Sequence, residues 1–83
     1  MSENFNIFSD EEIFKFYQSI SQKVRIFREE RNISQLEMAL SIDIKSVAFY
    51  SNCENNKYNK HFNLEHLYKI CKVLNLNIKD FFE

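Results

Sequence analysis

Four side chains of the kind that bind metal, Cys53, His61, His66 and Cys71, lie close together in the chain. Seven, four and four residues separate them, a spacing that matches no standard zinc pattern. The two thiols therefore read as small apolar core residues, the histidines as loop and helix-surface groups, and no metal is expected. No histidine stands beside a nucleophile in a recognisable motif, and no carboxylate pair has a site around it, so no catalysis is expected. With no glycine in the chain, neither a P-loop nor a dinucleotide fingerprint can be written.

The elements that must carry these groups are helical. Ser9-Asp10-Glu11-Glu12 is a capping box with an acidic first turn. Ile13, Phe16, Tyr17, Ile20, Val24 and Phe27 then follow at spacings of three and four, the stripe of one helical face. This predicts a helix over 10–31, with a break near Ser19–Ser21 as an option and Asn32 as its left-handed stop. Ser34-Gln35-Leu36-Glu37 is a second capping box, opening a helix over 35–41. Asp43 to Ser46 interrupts, and Ser46 caps a third helix from Val47 to about Glu54. Residues 55–62 are polar and Asn-rich, a loop. Asn63 caps a fourth helix carrying Leu64, Leu67, Ile70 and Leu74, which Asn75 ends. Asn77 caps a last short helix over 78–82, with Ile78, Phe81 and Phe82 expected to point inward.

Composition bounds the rest. The chain holds 83 residues with no Gly and no Pro, which disfavours an all-β fold built on tight turns. Apolar residues at 45% and charged residues at 28% fit a globular domain. The net charge is −1, but it is unevenly spread: residues 1–20 carry −3 and residues 21–83 carry +2. No secretory signal and no membrane-length apolar run is seen, so a reduced cytoplasmic protein is expected.

From Lys23 onward the chain resembles the XRE family of helix-turn-helix proteins, with the five-helix lambda-repressor-like fold. The resemblance rests on KVRIFREERNISQLEMALSIDIKSVAFYSNCENN and NLEHLYKICKVLNLNIKDFF. Val24, Phe27 and Arg28 match the close of helix one, Ser34-Gln35 the opening of helix two, and Ala39 the small residue inside it. Cys53-Glu54 match the end of helix three, and Leu64, Leu67, Ile70, Leu74, Asn77 and Phe81 the last two helices. Asp43, Phe62 and Asn75 stand where the family often has Gly, Pro and Gly. Asp and Asn tolerate the left-handed region better than other non-Gly residues. The turn before helix three also reads one residue longer than usual. That register turns Tyr50 and Cys53 inward and leaves Phe49 half-buried or facing a partner. The alternative register buries Phe49 and the amide of Asn52, which is unfavourable.

The fold expected is thus all-α: an N-terminal arm and helix extension over 1–20, then a helix-turn-helix domain over 21–83. The resemblance implies a sequence-specific DNA-binding transcriptional regulator, a repressor, acting as a homodimer on double-stranded DNA. No cofactor, small-molecule ligand or membrane is implied. Gln35 would meet phosphate at the start of helix two. Helix three would enter the major groove, bringing Ser46, Val47, Ala48, Ser51 and Asn52 to base edges. Asn suits adenine, and Ala or Val suits the thymine methyl; core packing is the other reading of Val47. Lys45, Asn56, Lys57, Tyr58, Asn59 and Lys60 would hold the backbone, and the lysines against Glu54 leave +2 across 44–62. Arg28 and Glu54 would form a structural ion pair.

A second reading is an interaction module that kept the fold, antitoxin-like, with weak or no DNA binding. Its motives are the net charge, the acidic leader and the apolar start of helix three. Phe5, Phe8, Phe14 and Phe16 are many aromatics for a tail. They either cover the base of the domain or form a dimer contact.

Overall fold

The computed structural model describes residues 7–83; the expected role of Phe5 lies outside them. The chain forms α1 (Asp10–Glu30), α2 (Gln35–Ser41), α3 (Val47–Asn55) and α4 (Leu64–Leu74), with 3-10 turns at Lys57–Asn59 and Ile78–Phe81. No strand occurs among the described residues. The fifth helix expected over 78–82 is that single 3-10 turn. Its Phe81 is fully buried, but Ile78 and Phe82 are exposed, because one short turn has only one inward position.

The helix starts are set locally. The Ser9 hydroxyl accepts from the Glu12 N–H at 3.0 Å; the reciprocal bond expected of the Glu12 carboxylate does not form. The Ser34 and Asn63 boxes are complete, with Glu37 and His66 reaching back to the cap N–H groups. Ser46 accepts from the Phe49 N–H at 3.1 Å.

The helix ends are also local, and they are built without glycine. Asn32, Asp43 and Asn75 adopt φ of 55°, 63° and 57°. Each closes a pair of Schellman bonds. Ile33 N–H reaches Arg28 O, Ile44 N–H reaches Ala39 O, and Leu76 N–H reaches Cys71 O, while the left-handed residue bonds one turn back. Asn and Asp take this conformation at the lowest cost of any residue with a side chain.

The core gathers Ile20, Val24, Met38, Ala39, Ile42, Ile44, Tyr50, Cys53, Phe62, Leu67, Ile70, Cys71, Leu74 and Phe81. Tyr50 and Cys53 have no exposed surface, so α3 takes the register with the longer turn. Phe49 is half-buried, edge-on to His66. Ala39, equally buried, sits where α2 packs on α3.

α1 runs unbroken through Ser19–Ser21 and through the expected 20/21 boundary. Its first buried residue is Ile20. Ile13 and Phe16, although on the apolar stripe, stay exposed because little covers them: Phe16 meets the ring of Phe82, itself exposed, and neither reaches the core. Tyr17 bridges the change by stacking on His61, with ring centroids 3.8 Å apart and planes 9° apart.

Candidate nucleic-acid interface

The segment around α3 is organised by one buried carboxylate. Glu54 is inaccessible and accepts from Arg28 Nε and Nη2, each at 2.9 Å, in a bidentate pair. Tyr50 Oη donates to it at 2.8 Å and Gln35 Nε2 at 3.1 Å. Arg28 Nη1 also donates to Ile33 O at 2.7 Å. Helices α1, α2 and α3 are therefore tied at one point, and the angle at which α3 leaves the domain is set there. Burial alone would raise the Glu54 carboxyl, but the hydrogen bonds from Arg28, Gln35 and Tyr50 outweigh it and hold the group below its ordinary 4.5. The Tyr50 hydroxyl is pushed strongly up by burial and by the Glu54 charge, so it stays a donor.

With Tyr50, Cys53 and Glu54 facing inward, the opposite side of α3 is left to solvent. Ala48 is exposed and Ser51 and Asn52 are half-buried on that outer side. Ser46 and Val47 are exposed at its start, Val47 at 42%, which removes it from the core. Lys45 is exposed just before. Just after α3, Asn56, Tyr58 and Asn59 all have positive φ, so the chain doubles back tightly. Lys57, Tyr58, Asn59 and Lys60 are exposed there, Tyr58 at 80%. Glu54 is the one carboxylate in 44–62 and is buried and paired, so the exposed charge of this stretch is purely cationic.

Four of the expected contact residues have internal partners: the Ser46 hydroxyl accepts from Phe49 N–H, and the Ser51 hydroxyl accepts from Asn55 Nδ2 at 3.3 Å; the other two are Asn56 and Gln35. Asn56 is buried, and its Nδ2 donates to Ser21 Oγ at 3.1 Å and towards Lys60 O at 3.3 Å. Its amide shapes the loop from within. Gln35 is half-buried and directed at Glu54. Two further groups share the outer surface: Asn55, exposed, and Arg25, whose guanidinium bonds the Asn55 side-chain carbonyl and leans on Glu54 Oε1 at 3.5 Å. Asn55 lies seven residues after Ala48, a two-turn repeat visible in the sequence; the reach of Arg25 from α1 carries no local signal. Cys53 donates its thiol to His61 O at 3.5 Å, and burial pushes that thiol up to about 11.

A family model described as helix-turn-helix matches residues 24–81. The chain belongs to the XRE family of helix-turn-helix proteins, a family of DNA-binding regulators. The match starts inside α1, so the exposed first turns of this helix-turn-helix protein lie outside it. Neither a curated protein nor a solved structure matches the chain. No helix among the described residues is long and apolar enough to cross a membrane.

Proposed function

We propose that this helix-turn-helix protein is a sequence-specific transcriptional repressor that binds double-stranded DNA as a homodimer in the cytoplasm, without cofactor or catalysis. The observation that carries the reading is the solvent-facing side of α3, with Ala48, Ser51, Asn52 and Asn55 along it and lysines at both ends. Lys45 at one end and Lys57, Tyr58, Asn59 and Lys60 at the other hold phosphates and so fix the register. Asn52 reads an adenine edge, Val47 and Ala48 pack on thymine methyls, and Ser46 and Ser51 add single hydrogen bonds. No Arg stands among these readers, so the preference is for A·T-rich sites of modest discrimination. Asn56 and Gln35 act one step back, holding the loop and the α2–α3 angle.

Site selection from a random duplex library, followed by gel shifts over a salt series, tests this. Lys57→Ala is expected to weaken all sequences alike and to lower the salt slope by about one. Asn52→Ala is expected to relax choice at one base position, with a loss of about 1–3 kcal/mol there. Absence of binding at about 50 mM salt, where phosphate contacts are strongest, would overturn the reading in favour of a protein-interaction module.

A further inference from the structure

A line of three polar side chains runs from α1 onto the outer side of α3 and ends in an unclaimed proton. Arg25, on α1, donates through Nη2 to the Asn55 side-chain carbonyl. A guanidinium can only donate, so it fixes which way the Asn55 amide is turned: Oδ1 faces Arg25 and Nδ2 faces away. Nδ2 then donates to Ser51, to its backbone carbonyl at 2.9 Å and to its hydroxyl oxygen at 3.3 Å. Every bond therefore runs in one direction, from the cation on α1 to the hydroxyl on α3.

The proton of that hydroxyl is left over. A helical serine commonly turns its proton back on a carbonyl one turn earlier. Ser41 does so in α2, donating to Glu37 O at 2.8 Å. Among the described residues the Ser51 hydroxyl meets only the Asn55 donor and finds no acceptor of its own. A serine hydroxyl can donate or accept, and so tells bases apart poorly. Here the oxygen is engaged from within, and what Ser51 offers outward is the donor.

The fold makes little other use of Arg25. Its bonds to Glu54 Oε1 and Glu54 O are both 3.5 Å, at the limit of a hydrogen bond. Glu54 is already held by Arg28, Tyr50 and Gln35 at 2.8–3.1 Å. The Arg25 side chain stays 38% exposed.

We propose that Arg25 is a positioning residue for base choice. Acting through Asn55, it makes Ser51 a donor, so the base that Ser51 faces must present an acceptor in the major groove. Thymine O4, guanine O6 or N7 and adenine N7 qualify; cytosine, which offers its amino group there, is rejected. The inference deepens the proposed function and rests on it.

Site selection from a random duplex library with the full chain, Ser51→Ala, Arg25→Met and the double variant tests it. Ser51→Ala marks the position at stake, where the unaltered chain should exclude cytosine. Arg25→Met should admit cytosine at that position, discrimination falling about two- to tenfold, the span of one net hydrogen bond. Choice at the Asn52 position should be kept. The double variant should behave as Ser51→Ala alone, as residues acting in series do. The urea midpoint of Arg25→Met should stay within about 1 M of the unaltered chain, since only exposed or long contacts are lost. A selected profile unchanged by Arg25→Met, or effects of the two substitutions that simply add, overturns the proposal. So does a uniform weakening of all sequences with a salt slope lower by about one, which would make Arg25 a phosphate contact. Each of these sinks the role of Arg25 and leaves the repressor reading standing. Failure of the unaltered chain to hold any duplex at about 50 mM salt sinks the repressor reading, and this inference with it.

Discussion

Glu54→Gln is the most informative single change. The substitution keeps the shape of a fully buried side chain but removes its charge and replaces one acceptor oxygen with a donor. Three of the groups that face it, Arg28 Nε, Arg28 Nη2 and Tyr50 Oη, are donors at 2.8–2.9 Å. At least one of them then meets another donor, and the Arg28 guanidinium stays buried without an anion. Breaking a buried pair from one side costs about 3–5 kcal/mol, against about 0–1 kcal/mol for an exposed one. A chain of this length has a net stability of about 4–12 kcal/mol, so much of the total is at stake. In urea, with a slope of about 1 kcal/mol/M for so small a domain, the midpoint should fall by roughly 3 M or more. The internal control is Lys69→Ala, which breaks the exposed Glu65–Lys69 pair at 2.8 Å and should move the midpoint by less than about 0.5 M. Circular dichroism during urea titration reads both. A loss below about 1 kcal/mol for Glu54→Gln would mean that Glu54 behaves as a surface group, and the account of how α3 is held would be refuted. Replacing Arg28 and Glu54 together by methionine should recover much of the loss, because no charge is then stranded.

Three other outcomes follow from the same structure. Tyr58 holds φ 55° with its ring 80% exposed, so Tyr58→Gly should raise stability by about 1 kcal/mol in thermal melts while weakening DNA binding. Ser34→Ala removes the cap of α2 and should cost about 1 kcal/mol by the same melts. Acid should destabilise the fold in two stages. Burial holds His66 below its ordinary 6.5, so its contribution is complete above that value and fades as the pH falls through the lower folded value. Glu54, held below 4.5, acts in the same direction further into acid. His66→Gln keeps a capping side chain and should flatten only the first stage in denaturation curves taken across pH.

Helix starts and stops were legible because a cap is a contract between neighbours. Ser9 and Ser34 announce themselves by the Glu three places on, Ser46, Asn63 and Asn77 by being cap-forming residues ahead of a helical stretch, Asn32 and Asn75 by being residues that tolerate the left-handed stop, and Asp43 by standing where the family often has Gly. The α3 register was legible from the cost of burying an amide. The Arg28–Glu54 pair was reached by resemblance, since no local pattern joins residues that far apart. The misplacements share one cause: whether a stripe is covered depends on what lies beneath. Ile13 and Phe16 continue the spacing of Ile20 and Val24, yet the core stops at Ile20. Ile78 and Phe82 flank Phe81, but a 3-10 turn seats one ring. Asn56 looked like a loop amide on offer, and only its fold partners Ser21 and Lys60 draw it inside.

The elbow between α2 and α3 has a mechanical consequence. Two backbone bonds close it around Asp43, and the Glu54 cluster braces it from behind. A joint made this way, with no glycine to act as a hinge, resists bending when it meets a duplex. On the proposed function, the duplex must therefore do the yielding. Operators would then be sorted by how readily their own base steps twist and kink, with pliable TA steps at positions no side chain touches.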